Sequence, residues 1–375
     1  MTDPRIDRLA QVLVSYSTSI REGDRVLIEA QPAAEPLIRA LYERILDVGG
    51  HPHMLISLSG MFSHTGLDDV FMANASDAQL DYPSTFYELA YGEFESRIRI
   101  HSADNTKSLT HADQQRLTRR AKTLRPVLEK QFTRGEKDDF RWLTTLYPTN
   151  AYAQDADMSL STFEDYVFQA CHVDDPDEDP LEYWRQVEKE QDRIVEALNG
   201  HDKIRVRSPH CDLTLSIKGR SFLNASGKNN MPDGEIFTGP VEDSVSGRVF
   251  FTYSSVSDGV EVGGVELTFE EGKVVKATAT KNEAYLIQKL DTDDGSRFLG
   301  EFAIGLNYGV TQHTKNILFD EKIGGSIHMA LGAGYPETGS TNESAIHWDF
   351  VTDMREDAEI EVDGEIVYKN GVFTI

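Results

Sequence analysis

The pattern of predicted helices and strands changes near residue 200, and this change determines the expected fold class. Before it, segments with helical periodicity alternate with short apolar runs, as where DRVLIEA (24–30) leads into AEPLIRALYERILDVGG (34–50). After it come short alternating runs separated by turns such as Asp363-Gly364. Strand–helix–strand units predict a parallel sheet covered by helices. We therefore predict an α/β domain with a parallel sheet over residues 1–199 and a strand-rich α+β domain over residues 200–375.

Individual elements of the first half can be assigned from the same periodicity. The apolar runs predict strands at 24–30, 53–58, 97–102 and 141–148. Helical periodicity predicts helices at 4–18, 34–50 and 112–131, and a long helix that ends at Gly200. No GxGxxG or GxxxxGK[ST] motif lies between a predicted strand and helix, so a nucleotide site is not predicted.

The charge of the chain excludes several kinds of partner. Sixty-three acidic against 37 basic residues give a net charge of −26, which repels nucleic acid and anionic membrane surfaces. No run of about 18 apolar residues is present, and we expect no signal peptide, since the first residues lack a basic start followed by an apolar region. Two cysteines are too few for a disulfide framework. We expect a cytoplasmic protein; the excess of arginine over lysine and the many aspartates favour a halophilic source with an acidic proteome over a merely acidic bacterial protein.

Residues with metal-ligand chemistry are concentrated after residue 200. The stretch SAIHWDF (344–350) places a histidine and an aspartate two positions apart, on one face of a strand. A glutamate follows the Pro232-Asp233-Gly234 turn, another lies among apolar residues, and a histidine lies in an apolar strand. The five candidate ligands are Glu235, Glu301, His328, His347 and Asp349.

Each candidate has a simpler interpretation when taken alone. His328 can be a hydrogen-bonded core histidine, Glu301 can pair with Arg297, and the His347-x-Asp349 spacing arises often by chance. Two histidines and three carboxylates in strands of one domain favour metal binding instead. Their nitrogen and oxygen ligands suit zinc, manganese, cobalt or iron. Five ligands exceed the three that a single catalytic zinc requires, which predicts two ions.

Four motifs carry a resemblance to a known family. NMPDGEIFTGPVEDSVSG, LGEFAIGLN, IHMALGAGYPETG and SAIHWDF closely resemble the thermophilic metalloaminopeptidase family of the aminopeptidase T and aminopeptidase S type. The similarity extends to EGDRVLIEAQPAAEPLIRALYE near the start and LYPTNAYAQDADMSLSTFEDYVFQAC in the middle. It implies a homodimeric enzyme that releases N-terminal residues from short peptides. It also implies a two-metal centre whose ligands are Glu235, Glu301, His328, His347 and Asp349, with Tyr335 as a site tyrosine.

We therefore expect a leucyl aminopeptidase-like hydrolase that uses two divalent ions, zinc, cobalt or manganese. Tyr335 is expected to donate a hydrogen bond to the developing oxyanion, and Glu337 is a candidate for proton shuttling. Two other functions remain open: a mononuclear-iron dioxygenase of the same fold, which opens dihydroxypyridine rings, and a non-catalytic metal-binding protein.

Overall fold

The computed structural model describes residues 3–135 and 137–375, and it divides into two compact units. The first unit extends to Trp184 and also contains Gly227–Pro232; the second contains Arg185–Ser226 and Asp233–Ile375. The junction after Trp184 lies inside a helix, Pro180–Leu198, and the boundary predicted at 199 and 200 lies just beyond the end of that helix. Among the described residues, no helix combines the length and the apolar character that crossing a membrane requires.

The helices of both units, in chain order, are α1 Pro4–Val12, α2 Glu35–Asp47, α3 Asp68–Asn74, α4 Asp77–Leu80, α5 Thr85–Glu93, α6 Gln114–Gly135, α7 Asn150–Asp155, α8 Leu160–Ala170, α9 Pro180–Leu198, α10 Glu283–Leu290 and α11 Ile317–Asp320. A π-helical turn, Leu13–Ser17, continues α1, and short 3-10 turns occur at Pro32–Ala34 and Pro336–Thr338.

The strands, in chain order, are β1 Arg25–Ala30, β2 His51–Ile56, β3 Ser96–His101, β4 Arg141–Leu146, β5 Lys203–Ser208, β6 Cys211–Ser216, β7 Leu223–Ala225, β8 Asn230–Met231, β9 Glu235–Thr238, β10 Ser246–Phe250, β11 Ser255–Ser257, β12 Val260–Val262, β13 Glu266–Glu270, β14 Lys273–Thr278, β15 Leu299–Gly305, β16 Ser326–Gly332, β17 His347–Asp353, β18 Glu359–Val362, β19 Glu365–Lys369 and β20 Val372–Phe373.

The first unit has the predicted α/β architecture. Its strands form a parallel sheet in the order β2-β1-β3-β4-β8, in which β8 returns from a later part of the chain. The four predicted strands are all present. The second begins at His51, two residues earlier than predicted, because the chain leaves α2 at Gly49, which has a φ of 81°, and enters the sheet at once.

The second unit is strand-rich, as predicted. One antiparallel sheet has the order β14-β13-β10-β6-β5-β18-β19-β20, and another has the order β17-β16-β15-β9-β7. One hydrophobic cluster contains buried side chains from both sheets, such as Leu213 and Phe269 from the first and Phe302 and Met329 from the second. The second sheet therefore has one apolar face packed into the core, and its other face is available for polar side chains.

Candidate metal centre

The five predicted ligands lie on one face of the β17-β16-β15-β9-β7 sheet. Glu301, Ala330 and Asp349 are paired across three neighbouring strands, so their side chains point to the same side. His328 is two residues from Ala330, and His347 is two residues from Asp349, which places both histidines on that face. Glu235 pairs with Gly305, four residues along β15 from Glu301. Strand alternation and register thus bring together residues more than 100 positions apart in the sequence.

The opposite face explains why the strands hold this register. Residues that alternate with the ligands, such as Phe302, Met329 and Trp348, are buried in the hydrophobic cluster. A shift of one residue would exchange the apolar and the charged sets between the two faces, which is costly. On the ligand face, the side chain between Glu301 and Asp349 is the single methyl group of Ala330, which leaves space above the sheet.

Glu301 lies between the two histidines. Its Oε2 is 3.2 Å from His347 Nε2, and its Oε1 is 3.7 Å from His328 Nε2. His347 Nε2 is also 3.5 Å from Asp349 Oδ1, and His328 Nε2 is 3.4 Å from Glu235 Oε2. One ligand atom each from Glu301, His347 and Asp349 lies within 4.8 Å of the others, a spacing that suits a shared metal ion.

Burial and the excess of acids shift the ionisation of these groups. Burial opposes the charge on His328, but the neighbouring Glu235 and Glu301 raise its pKa to about 9. Burial likewise opposes the charge on Glu301, but hydrogen bonds from His328 and His347 lower its pKa to about 2. The carboxylates thus create a negative potential that draws positive charge to this face, whether protons or metal ions.

The donor atoms fit a divalent metal. Glu235 Oε2 and His328 Nδ1 are buried and have no hydrogen-bond partner in the described part of the chain. His347 Nδ1 donates to the Ala333 carbonyl oxygen at 2.7 Å, so Nε2, which faces Glu301 and Asp349, is the nitrogen that would bind a metal ion in place of a proton. A backbone carbonyl that fixes the tautomer in this way is typical of metal-binding histidines.

The interpretation of Glu301 as the ion-pair partner of Arg297 is wrong. Arg297 pairs with Asp291, at 2.7 Å between Nη2 and Oδ1, and also donates to the Val274 carbonyl oxygen, so it is not the partner of Glu301. His328 Nε2 faces the carboxylates of Glu235 and Glu301, and its Nδ1 has no hydrogen-bond partner among the described residues.

Tyr335 and Glu337 lie in the loop after β16. The Tyr335 ring meets His347 edge-on at 5.1 Å between ring centroids, and meets Phe237 at 5.3 Å. Although 37% of Tyr335 is exposed, partial removal of its phenol from water raises the pKa above its usual range, so the phenol keeps its proton at neutral pH. Glu337 is exposed in the 3-10 turn, and its side chain forms none of the ion pairs described above.

Sequence reasoning missed a charged pair beside the site, Glu321 and Lys322. The Lys322 ammonium group is fully buried and lies 2.7 Å from Glu321 Oε1 and 3.5 Å from Asp233 Oδ1. It also contacts Glu235 Oε1 directly. The local sequence FDEKIGG resembles an exposed charged turn, and no sequence signal distinguishes a buried lysine there.

A family model described as thermophilic metalloprotease (M29) matches residues 2–373. The chain belongs to this family. Membership confirms the resemblance found in the motifs, and it confirms the predicted enzyme class, a hydrolase that acts on peptide bonds. A family of metalloproteases also implies a divalent metal, for which the histidines and carboxylates of this face are candidates.

Individual relatives agree with this assignment. Aminopeptidase 2 of Geobacillus stearothermophilus is 27% identical, over 98% of this chain and 95% of that protein. The solved structure of wild-type AmpT from Thermus thermophilus superposes with a TM-score of 0.85 at 21% identity and covers 99% of both chains, which confirms the fold.

The alternative function has a weaker structural relative. The 2,5-dihydroxypyridine dioxygenase from Pseudomonas putida KT2440 has a TM-score of 0.59 at 13% identity, over 99% of this chain and 96% of that chain. This likeness concerns the fold alone, and the family match does not favour a dioxygenase.

Proposed function

We propose that the protein is a two-metal aminopeptidase that releases N-terminal residues from short peptides. The observation that carries this proposal is the convergence of Glu235, Glu301, His328, His347 and Asp349 on one face of a sheet. Glu301, which lies between the two histidines, would act as a ligand in such a centre. The family and its aminopeptidase relatives support the peptide-bond specificity.

These five residues would hold two divalent ions, zinc, cobalt or manganese. Such ions, when bound, polarise a substrate carbonyl group and lower the pKa of water to near neutrality. Tyr335 contacts the ring of His347, from where its protonated hydroxyl group is proposed to donate to the oxyanion that develops on the substrate. Glu337, exposed nearby, is proposed to exchange protons between the site and solvent.

The acids of the site support exopeptidase action. A free α-amine carries a positive charge, and the carboxylates of this face attract it, whereas an internal peptide bond offers no such charge. Glu301 and His328 are only 4% and 1% exposed, so the extended N-terminus of a short peptide reaches them more readily than a folded domain does. The net charge of −26 favours peptides that begin with neutral or basic residues.

We propose that the enzyme is a homodimer, as the resemblance implies. In the first unit, β2 is an outer strand of the parallel sheet, and its side chains Met54 and Ile56 are 50% and 41% exposed. Leu58, just beyond it, is 62% exposed. An apolar edge strand of this kind is a ready partner for a second chain, and a second copy of the enzyme would cover it.

We also propose a cytoplasmic, salt-adapted enzyme. Cys171 and Cys211 are both free and buried, which agrees with a reducing compartment. Because acidic surface groups repel one another at low ionic strength, salt would stabilise the fold. Denaturant titrations in dilute buffer and in concentrated potassium chloride test this, and equal stability in both would contradict salt adaptation.

Turnover of aminoacyl nitroanilides after metal removal and restoration tests the proposed activity. We expect the chelator-treated protein to be inactive and to release nitroaniline from leucyl and arginyl substrates when zinc, cobalt or manganese is restored. The matched N-acetyl-leucyl substrate, which lacks the free amine, should not be cleaved. Normal metal uptake without release under any metal would contradict the proposal. In that case, oxygen uptake with 2,5-dihydroxypyridine and ferrous iron would indicate the dioxygenase, and its absence would indicate a non-catalytic metal-binding protein.

A further inference from the structure

We propose that the first unit contains a binding site for a small aromatic carboxylate, in a cavity at the carboxyl end of β2. The cavity has a volume of about 660 Å³, within the range that small-molecule sites occupy. The described residues that line it lie between Leu55 and Arg120, so they all belong to the first unit. The inference goes beyond peptide hydrolysis and does not depend on the metal centre.

The position of the cavity is one that ligands favour in α/β folds. It begins at Ile56, the last residue of β2, and the loop that follows this strand forms a further part of its wall. Side chains from α3, α4, α5 and α6 complete the lining. In open parallel sheets, ligands bind outside the carboxyl ends of the strands, because the loops that follow the strands surround that edge.

Hydrogen bonds hold the walls of the cavity in place. The buried Asp68 carboxylate accepts from the backbone N–H groups of Phe62 and Ser63, at 2.6 and 2.9 Å. Arg120 donates through Nε to the Ser63 carbonyl oxygen at 3.0 Å and through Nη1 to the Tyr82 carbonyl oxygen at 2.7 Å. The loop after β2 and the segment before α5 are thus tied to one side chain, as expected of a preformed site.

The charge of the lining favours an anion. None of the described lining residues is an aspartate or a glutamate, although the chain contains 63 acidic residues and carries a net charge of −26. The lining does include the guanidinium group of Arg120, which is 1% exposed. Burial lowers the pKa of Arg120 despite the attraction of Asp68, so its positive charge is not fully balanced.

Arg120 can also offer a hydrogen bond to a ligand. A guanidinium group has five N–H donors. In the described part of the chain, Arg120 makes four hydrogen bonds, all to backbone carbonyl oxygens. One N–H group on Nη2 therefore remains, and a carboxylate would accept from it and supply the missing negative charge.

His64 provides a second polar contact. Its side chain lines the cavity and is 4% exposed, and its Nδ1 is buried with no hydrogen-bond partner in the described part of the chain. The ring is stacked on Tyr87, with centroids 3.8 Å apart and planes at 8°, which fixes its orientation. Because an unpaired buried polar atom is costly, a ligand that bonds to it stabilises the site.

The other walls favour an aromatic body on the ligand. Phe71, Tyr82 and Phe86 all line the cavity. The Phe71 ring lies beneath the Arg120 guanidinium group, 5.1 Å from Cζ to the ring centroid. Tyr82 and Phe86 are 64% and 73% exposed, so their rings offer apolar surface to a bound molecule. An aromatic ring would pack against them while its carboxylate lies near Arg120 and His64.

The test is a calorimetric titration of the metal-free, full-length protein with phenylacetate. Removal of metal ensures that the carboxylate does not bind to metal ions. We expect one phenylacetate per chain, bound at least about tenfold more tightly than phenylacetamide, which has the same shape without the charge. Phenethylamine, which carries a positive charge, should not bind measurably. If the amide or the amine bound as tightly as phenylacetate, the assignment to a carboxylate would be overturned.

Two histidine variants locate the bound molecule. H64N suits the φ of 56° at this position, and it should weaken phenylacetate binding at least about fivefold, because the ring and its stacking on Tyr87 are lost. The matched control is H51N, which replaces an exposed histidine of β2 outside the cavity and should bind as the wild type does.

A second pair of variants covers the case in which H64N fails to fold. F86A removes an exposed ring of the cavity, so the fold should tolerate it while phenylacetate binding weakens. F132A, which removes an exposed ring of α6 outside the cavity, is its control. Wild-type affinity in the folded cavity variants would overturn the site.

Failure of the wild-type protein to bind phenylacetate would also overturn the proposal. In that case, hydrogen exchange over residues 55–87 that slows as the protein concentration rises would show that a second copy of the chain covers the cavity instead.

Discussion

The two units each contain a buried cluster of charged side chains, and the two clusters differ in the sign of their excess charge. In the first unit, Glu29 lies between Arg97 and Arg99, with 2.7 Å from Glu29 Oε2 to Arg99 Nε. Tyr91 accepts hydrogen bonds from both arginines through its hydroxyl group, at 3.0 and 2.8 Å. In the second unit, Lys322 lies beside three carboxylates, those of Asp233, Glu235 and Glu321, and two more carboxylates, Glu301 and Asp349, lie beside the histidines of the same sheet.

The difference shows how burial separates a structural cluster from a binding site. Burial opposes the charge on Glu29, but Arg99 and Arg97 lower its pKa, so the cations of the protein itself keep it ionised. In the second unit, burial raises the pKa of Glu235 despite the neighbouring Lys322. The two arginines of the first cluster exceed its one carboxylate, whereas the acids of the second cluster have an affinity for further positive charge.

The largest effect is expected from removal of Glu301. E301A takes away the carboxylate between the two histidines, and should lower both turnover and metal affinity by more than the roughly 100-fold that loss of an outer-shell partner causes. Nitroanilide assays and equilibrium dialysis measure the two quantities. An E301A protein that retained wild-type turnover without bound metal would contradict the distinction between a structural cluster in the first unit and a metal-binding cluster in the second.

Removal of Arg99 should act on stability and leave the metal centre unchanged. R99A strips a buried carboxylate of its closest cation, so we expect the free energy of unfolding to fall by about 3 kcal/mol. Urea titration measures this change, and R39A, whose arginine forms an exposed pair with Glu35, is the control. If R99A altered metal affinity as strongly as E301A does, the first cluster would not be purely structural.

The acid stability of the first unit should depend on His64. Burial, together with nearby arginines, lowers the pKa of His64 to about 3, whereas the unfolded chain has the ordinary value near 6.5. Below that value the unfolded state binds more protons, so stability should fall as the pH falls from 6.5 towards 3, by up to about 1.4 kcal/mol per pH unit. H64N suits the φ of 56° at this position and should flatten that slope in urea titrations. An unchanged slope would assign the acid sensitivity to other groups.

The smallest effect is expected from Arg297. Because its partner Asp291 is exposed, R297A should change stability by no more than about 1 kcal/mol and should leave metal binding intact. Isothermal titration of the apoprotein with zinc is the decisive measurement. A large loss of zinc affinity would indicate that Arg297 does form an ion pair with Glu301.

The candidate ligands could be chosen from the sequence because the relevant signal is local. Strand alternation in His347-Trp348-Asp349 and the apolar setting of Glu301 and His328 are readable residue by residue, and the strands formed where expected. The grouping of the five candidate ligands into one site came from the family motifs, because no local rule shows that β9, β15, β16 and β17 are neighbours.

Other features could not be predicted from the sequence, because they depend on tertiary contacts or lie in short helices. The burial of Lys322 arises from carboxylates that other strands deliver, so FDEKIGG alone predicts an exposed turn. No element was predicted between residues 58 and 97, where the chain forms α3, α4 and α5, which are too short for clear periodicity. The capping box of Ser76 and Gln79 was the one readable signal there.

The most direct test of the central claim is the number of divalent ions bound per chain at the point where activity appears. Metal-free enzyme would be titrated with zinc, while bound metal and leucyl nitroanilide turnover are measured on the same samples. The acid excess of the second unit predicts saturation at two ions per chain, with full turnover only when both are bound. Full turnover at one ion, or without any, would contradict the two-metal account.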